Sequence, residues 1–223
     1  MDENQIISNT IDFVKETLKG AEGGHDWFHI ERVFNNAKLI AETEKANFFV
    51  VALGALLHDI ADAKFHPDAS GGDETIGPKI ASEFLLKQNV DSAVIEHVVK
   101  IIENISFKTS LSQNQNKFTS IELEIIQDAD RLDAIGAIGI ARCFNYGGFK
   151  NREIYNPEIK PNLNMTKEQY KKSKAPTINH FYEKLLLLKD KMNTKTGQKL
   201  AQKRHIFMEK YLDQFYKEWN GEK

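Results

Sequence analysis

The sequence has little of what marks secreted or membrane proteins. Its single cysteine, Cys143, cannot form an internal disulfide, which favours a reducing compartment, and we expect a cytoplasmic protein. The first residues, Met1-Asp2-Glu3-Asn4-Gln5, form no basic region ahead of a long apolar stretch, so no signal peptide is expected. The apolar run at 48–57 is much shorter than the roughly 20 residues that cross a bilayer. We therefore expect no membrane association.

The chain also has no large excess of either charge. Lysine and arginine together number 30 and aspartate and glutamate 32, so the net charge is −2. This balance argues against broad binding to nucleic acid, and no stable nucleic-acid complex is expected. There are only five prolines, mostly late in the chain, which suits a helical protein. The length of 223 residues allows one large domain or two small ones.

Apolar residues recur at helical spacing through most of the chain, and we find no convincing strand alternation. The predicted helices cover 3–19, 26–45, 48–62, 74–88, 92–105, 120–145, 177–191 and 195–219. Gly136 and Gly139 are positions where the long helix 120–145 is expected to kink or to admit a close neighbour. The pattern predicts an all-α protein with a single domain over 1–223.

Residues 145–177 differ in composition from the helical segments. They contain Gly147, Gly148 and three prolines, and predict a long surface excursion with one short helix near 165–172. A loop of this length inside a compact domain is usually functional, so we interpret it as a lid.

An apolar run at 48–57 leads directly into His58 and Asp59. Adjacent residues on a helix point about 100° apart, so the two side chains converge only on something held between them and other elements. A divalent metal is the natural candidate, with His29 and Asp130 arriving from other predicted helices. From the residues alone, a helix-end cap with a core histidine stays open, and Asp128 and Asp133 compete with Asp130.

The contexts of these residues resemble a known family. They are His29-x-x-Arg-Val, Ala-Leu-Leu-His58-Asp59 and Asp-Ala-Asp130-Arg-Leu-Asp. Together they resemble the H…HD…D pattern of the HD-domain superfamily of metal-dependent phosphohydrolases, over roughly residues 24–145. Longer strings that begin at Gly24, His58, Ile105, Asp130 and Ser173 resemble its small bacterial YpgQ-type subgroup of nucleoside triphosphate pyrophosphohydrolases.

The resemblance implies an HD-domain helical bundle with a long loop or lid insertion before two C-terminal helices. The metal-binding core would span about 24–145, and the lid and last helices about 146–219. It also implies that His29, His58, Asp59 and Asp130 bind one divalent metal ion, with manganese, nickel, cobalt, iron, zinc and magnesium all left open. Asp62, one turn after Asp59, is the candidate general base.

A phosphorylated substrate requires cations. The residues that the sequence offers for substrate binding are Arg32, Lys64, Lys108, Arg142, His180 and Lys184. Arg32 lies one turn after His29, and His180 and Lys184 share a helical face. The expected partner is a nucleotide or another phosphorylated small molecule, and a homodimer is left open.

The function expected from the resemblance is cleavage of a nucleoside triphosphate to the monophosphate and pyrophosphate. The alternatives are a 5′-nucleotidase or phosphomonoesterase, a cyclic-nucleotide phosphodiesterase, and a nucleotide or metal sensor without turnover. A (p)ppGpp hydrolase is disfavoured, because that family has a Glu-Asp pair where this chain has Asp62-Ala63. Of the other histidines, His25 is interpreted as part of a helix N-terminal turn, and His97 as a core or rim residue.

Overall fold

The computed structural model describes residues 2–21, 26–60, 76–105, 118–166, 169 and 172–222. Within these ranges the regular elements are helices and no strand occurs, which confirms the predicted all-α class. The chain divides into two compact units, Met1–Asp130 and Arg131–Lys223. The single domain expected over 1–223 stays a prediction.

The first unit is built from long helices. They are α1 (Glu3–Thr17), α2 (Trp27–Ala41), α3 (Phe48–Leu57), α4 (Ile76–Lys87), α5 (Ser92–Asn104) and α6 (Ile121–Asp133), which extends three residues past the boundary between the units. Their starts are specified locally, because the side chains of Asp26, Asn47 and Asp91 accept hydrogen bonds from the first free amides of α2, α3 and α5. The N-cap predicted at Asp26 is confirmed.

Helix α3 forms the centre of this unit. Every residue of α3 except Phe48 is buried, and α3 packs against α1, α2 and α5. Gly54 brings α6 close as well, since a Cβ at this position would lie 2.6 Å from Cδ1 of Ile126. A helix that is apolar on all sides is stable only when other helices surround it. His58 and Asp59, which follow α3 directly, are therefore held at the edge of the core.

The second unit contains α7 (Gly136–Phe149), α8 (Asn179–Glu183), a 3₁₀ segment (Leu185–Lys191) and the long α9 (Lys195–Trp219). Helix α9 packs against α7 and against the 3₁₀ segment. The rings of Phe181 and Tyr211 stack with their centroids 6.0 Å apart, and Phe144 packs against both. These aromatic contacts connect α7, α8 and α9, and Phe181 is the fully buried ring among them.

The helix predicted over 120–145 is divided in the structure. Helix α6 ends at Asp133, and α7 begins at Gly136, whose φ of 76° is accessible mainly to glycine. The side chain of Arg204 lies against Gly136, so a Cβ there would also meet its aliphatic carbons at 3.0 Å. Apolar periodicity continues through the break, which is why the pattern alone predicts one kinked helix.

Two further segments differ from the predictions. The helix expected over 177–191 is a short α-helix followed by a 3₁₀ segment. The excursion expected over 145–177 begins later, because α7 continues to Phe149. Its ends are closed by two backbone hydrogen bonds, from Thr177 to Glu153 and from Ile178 to Ile154. The short helix predicted near 165–172 falls largely outside the described residues.

The described helices include none that is both long and apolar enough to cross a membrane.

Candidate metal centre

The start of α2 places the first histidine of the site. The backbone amide of His29 donates to Oδ1 of Asp26 across 3.0 Å, so the N-cap and the histidine belong to one turn. His29 is only 2 % exposed. Its imidazole is therefore fixed in position by the cap and by the surrounding core.

The end of α3 places the second histidine and its neighbouring aspartate. Helix α3 ends at Leu57, and His58 follows as its C-cap with φ and ψ still in the right-handed helical region, whereas the sequence predicts helix to residue 62; residues 61 and 62 lie outside the described part. Nδ1 of His58 lies 2.8 Å from the carbonyl oxygen of Ala55. A carbonyl oxygen only accepts hydrogen bonds, so in the neutral ring Nδ1 carries the hydrogen and Nε2 presents a lone pair.

Nε2 of His58 is buried and has no hydrogen-bond partner among the described residues. A buried polar atom without a partner is costly, and native proteins retain few of them. A role as metal ligand would explain why Nε2 of His58 has no such partner. Metal-binding imidazoles commonly donate their other N–H to a carbonyl oxygen, as His58 does to Ala55.

Four side chains converge around this nitrogen. Nε2 of His29 lies 3.6 Å from Oδ2 of Asp59 and 3.6 Å from Oδ1 of Asp130. Nε2 of His58 lies 3.6 Å from the same oxygen of Asp59. These separations are too long for hydrogen bonds. Donors that each lie ~2.1 Å from one ion are separated by roughly 3.0–3.4 Å, close to what is observed.

The same geometry distinguishes Asp130 from Asp128 and Asp133, the other two aspartates that the sequence offers as ligands. The potential ligand atoms of His29, His58 and Asp130 all lie within 4.8 Å of one another. Asp128 and Asp133 are buried on the same helix but do not join this cluster. A hydrogen bond from the Asn36 amide to the carbonyl oxygen of Ala129, 3.3 Å long, ties α2 to α6 beside Asp130. The sequence analysis did not single out Asn36.

The arrangement suits a divalent ion chemically. Two imidazoles and two carboxylates are the donor set of borderline and hard divalent cations. Asp59 is partly exposed and Asp130 is nearly half exposed as side chains, while both histidines are buried. The centre thus has one face in the core and one towards solvent, where water and a ligand can enter.

Several of the residues predicted to act on substrate lie outside the described part of the chain. They are Asp62, Lys64 and Lys108. Arg32 is half-buried on α2, one turn after His29. These four roles stay predictions.

Arg142 lies in the second unit and has a clear partner there. Its Nη1 donates to Oδ2 of Asp133 across 2.6 Å, and Asp133 is 1 % exposed. A short charge-assisted hydrogen bond to a buried carboxylate is strong. The guanidinium that the sequence offered for phosphate binding is therefore engaged in an internal ion pair, and its substrate role stays a prediction.

His180 and Lys184 lie on and just after α8. Burial lowers the pKa of His180 to about 4, and the positive charges of Lys184 and Arg152 lower it in the same direction. The imidazole is thus neutral at pH 7. Burial raises the pKa of the Cys143 thiol to about 12, against the opposing effect of the same two cations. The sequence analysis missed Arg152, because a cation in a polar, glycine-rich segment is ordinarily a solvated surface residue.

Comparison with known proteins agrees with this geometry. The model of the HD domain family matches residues 27–135, the segment that contains all four converging side chains. YpgQ of Bacillus subtilis is 36% identical over 209 residues, which cover 94% of this chain and 91% of that protein.

Solved structures are similar over almost the whole chain. An HD-superfamily hydrolase from Bacillus thuringiensis is 41% identical, with a TM-score of 0.78 and coverage of 98% of this chain and 99% of the other. The structure of Bacillus subtilis YpgQ in complex with ADP is 34% identical, with a TM-score of 0.74 and coverage of 98% and 97%. Similarity of this extent, together with the converging histidines and aspartates, shows that the chain belongs to the HD-domain superfamily of hydrolases, in the group that includes YpgQ.

Proposed function

We propose that the protein is a metal-dependent phosphohydrolase that cleaves a nucleoside triphosphate to the monophosphate and pyrophosphate. The observation that supports it most is the convergence of His29, His58, Asp59 and Asp130, with a buried imidazole nitrogen of His58 that has no hydrogen-bond partner among the described residues. The similarity to YpgQ, which has been solved in complex with ADP, supports a nucleotide as the ligand class.

In this proposal His29, His58, Asp59 and Asp130 hold one divalent ion. Such an ion would supply Lewis-acid stabilisation of phosphate charge and make water more acidic. The two buried histidines fix the position of the ligand set, and the two partly exposed carboxylates bring negative charge to its open face. The hydrogen bond from Nδ1 of His58 to the carbonyl oxygen of Ala55 keeps the ring in an orientation that suits a metal ligand.

The remaining residues take up a proton from water and position the substrate. Asp62 accepts a proton from the attacking water, a role worth about 10²–10⁴-fold in rate. The oxygen of that water bonds to the α-phosphorus, and the bridging oxygen leaves with pyrophosphate. Arg32, Lys64, Lys108, His180 and Lys184 are assigned to binding the phosphate chain, with lysine as a point charge and arginine as a bidentate donor. Arg142 pairs with Asp133, and its substrate role also stays a prediction.

The test is a substrate panel with product analysis. The full-length protein is loaded separately with Mn²⁺, Co²⁺, Ni²⁺, Zn²⁺ and Mg²⁺ and offered nucleoside mono-, di- and triphosphates and a cyclic nucleotide. We expect equal amounts of monophosphate and pyrophosphate from triphosphates. Orthophosphate released from monophosphates alone would instead identify a phosphomonoesterase. Binding of nucleotide without turnover by any metal form would identify a sensor.

A further inference from the structure

Asn36 links the two helices that bring His29 and Asp130 together. It lies on α2 about two turns after His29, so both side chains are on the same face of that helix. Its Nδ2 donates to the carbonyl oxygen of Ala129 across 3.3 Å, and Asp130 follows Ala129 directly on α6. The hydrogen bond therefore joins the helix that carries one candidate ligand to the helix that carries another.

The chemistry of the acceptor determines which way the amide of Asn36 faces. A carbonyl oxygen accepts hydrogen bonds and never donates them, so the –NH₂ group of Asn36 and not its oxygen points at Ala129. The same carbonyl oxygen has two lone pairs, and it can accept a side-chain donor in addition to a backbone amide of its own helix. An amide side chain suits this position, whereas an aliphatic side chain or an ionised carboxylate of the same size has no hydrogen to donate.

Asp130 is the candidate ligand that its surroundings restrain least. The side chains of His29 and His58 are 2 % and 1 % exposed, and the side chain of Asp59 is 26 % exposed. The side chain of Asp130 is 45 % exposed, so fewer packed neighbours hold it in place. Its distance from the other ligands therefore depends strongly on how the last turns of α6 are held.

The hydrogen bond of Asn36 acts on that part of α6. Helix α6 meets the central helix α3 at Gly54, through Ile126, which lies one turn before Asp130. Nε2 of His29 and Oδ1 of Asp130 are 3.6 Å apart. A ligand set must be held within roughly 0.5 Å of its productive geometry, and hydrogen bonds behind the ligands supply that precision. A directional bond one residue before Asp130 restrains the turn that carries the carboxylate.

We propose that Asn36 is a positioning residue of the metal centre, which holds Asp130 at its distance from His29 through the carbonyl oxygen of Ala129. Asn36 acts on the backbone beside the ligand, and the ligand set itself is unchanged. The inference rests on the metal centre of the proposed function. It concerns the binding of a metal ion, which can be measured without any nucleotide.

The experiment is calorimetric titration of the full-length, metal-free protein with Co²⁺, whose visible absorption also reports the geometry of its ligands. Wild type is compared with Asn36→Leu, which keeps the size of the side chain and removes the donor. Loss of a hydrogen bond behind a ligand typically weakens metal binding roughly 10–100-fold, and we expect the Kd for Co²⁺ to rise by about 10-fold. The absorption spectrum of the Co²⁺-saturated variant should differ from that of wild type.

Asn35→Leu is the matched control, because Asn35 is the exposed neighbour of Asn36 on the same helix. Urea denaturation of the metal-free proteins measures the effect of each substitution on stability. A purely structural role would lower the stability of Asn36→Leu and leave its Kd and its Co²⁺ spectrum the same as those of Asn35→Leu. That result would overturn the inference.

An Asp130→Ala background shows whether Asn36 acts through Asp130. If it does, removing the carboxylate also removes the effect, and Asn36→Leu should then change the Kd for Co²⁺ by less than about twofold. An effect of about 10-fold that persists without Asp130 contradicts the proposed role. If the background binds Co²⁺ too weakly to titrate, the comparison of Asn36→Leu with Asn35→Leu decides.

The same titrations separate this inference from the proposed reaction. A wild type that binds no Co²⁺ overturns the metal centre and the role of Asn36 together, whereas Co²⁺ binding without turnover of any nucleotide overturns the reaction alone. Circular dichroism checks the fold of each variant. If Asn36→Leu does not fold, Asn36→Asp decides, because an ionised carboxylate cannot donate to Ala129. A Kd within about twofold of that of Asn35→Asp, which adds the same charge, then rejects the inference.

Discussion

The guanidinium of Arg142 donates a hydrogen bond to the carboxylate of Asp133 across 2.6 Å, and that carboxylate is buried. Asp133 closes α6 three residues after Asp130. An arginine that the sequence offers for substrate binding therefore also has an internal carboxylate as its partner.

Removing that arginine should cost stability. Arg142→Ala leaves the carboxylate of Asp133 buried without its cation, so we expect the free energy of unfolding to fall by about 3 kcal/mol. Urea denaturation measures it. Lys217→Ala is the control, because it breaks an exposed pair of similar length with Asp213 and should cost less than about 0.5 kcal/mol. An Arg142→Ala protein that is as stable as this control would contradict the expected loss of stability, and a raised KM would support the predicted substrate role of Arg142.

The metal centre should bind one divalent ion per chain. His58→Ala and Asp130→Ala each remove a proposed ligand, so we expect metal affinity to fall by more than about 10-fold. Inductively coupled plasma mass spectrometry after dialysis measures how much metal each variant retains. His97→Gln is the matched control, because its ring bonds to Ser120 and not to the cluster. Equal metal content in all three variants would contradict the ligand assignment.

Asp62 should affect turnover and leave metal binding unchanged. Asp62→Asn removes the proposed base while preserving its size, so we expect kcat to fall by about 10²–10⁴-fold with the metal content of wild type. Asp213→Asn, an exposed aspartate of the last helix, controls for loss of one negative charge. Loss of metal in Asp62→Asn would make the residue a ligand, and full activity would remove it from the mechanism.

Burial of His180 should make stability depend on pH. The pKa of His180 is about 4 in the folded protein, against an ordinary value of 6.5. Between these values the unfolded state binds more protons, so stability falls as the pH decreases from about 6.5 towards about 4. The complete loss in the free energy of unfolding that His180 causes is on the order of 3 kcal/mol. About 2 kcal/mol of it should already be lost at pH 5.

Urea denaturation of wild type and His180→Gln at pH 7.5 and pH 5.0 measures this contribution. Other titrating groups are common to both proteins, so the difference between the two pH dependences belongs to His180. We expect the variant to lose about 2 kcal/mol less than wild type on acidification. Equal losses would show that His180 titrates normally in the folded protein.

The metal-site residues could be found from the sequence because their signals are local. The apolar run of α3 can be stable only in a core, and His58 and Asp59 follow it directly, so their position at the edge of that core is predictable. Asp26, Asn47 and Asp91 mark helix starts through hydrogen bonds that span two or three residues. The motif contexts then pointed to His29 and Asp130, which only a family pattern could link across the chain.

Other features depend on partners that are distant in sequence. The break between α6 and α7 occurs where Arg204 lies against Gly136, and Arg204 also donates to the carbonyl oxygen of Leu132. Arg142 and Arg152 have similar sequence contexts, since each is a cation near glycines. In the structure Arg142 pairs with the buried Asp133, whereas Arg152 bonds to the carbonyl oxygen of Ser173 and has no carboxylate partner among the described residues.

The sequence by itself determined the helical class, the starts of α2, α3 and α5 and the histidines and aspartates of the candidate metal centre, because periodicity, capping and motif context are local. Only the tertiary structure decided that Nε2 of His58 is left without a protein partner and that Arg142 is paired with Asp133. Hydrogen-bond satisfaction and charge pairing depend on which atoms packing brings within about 3 Å, and no local pattern encodes that.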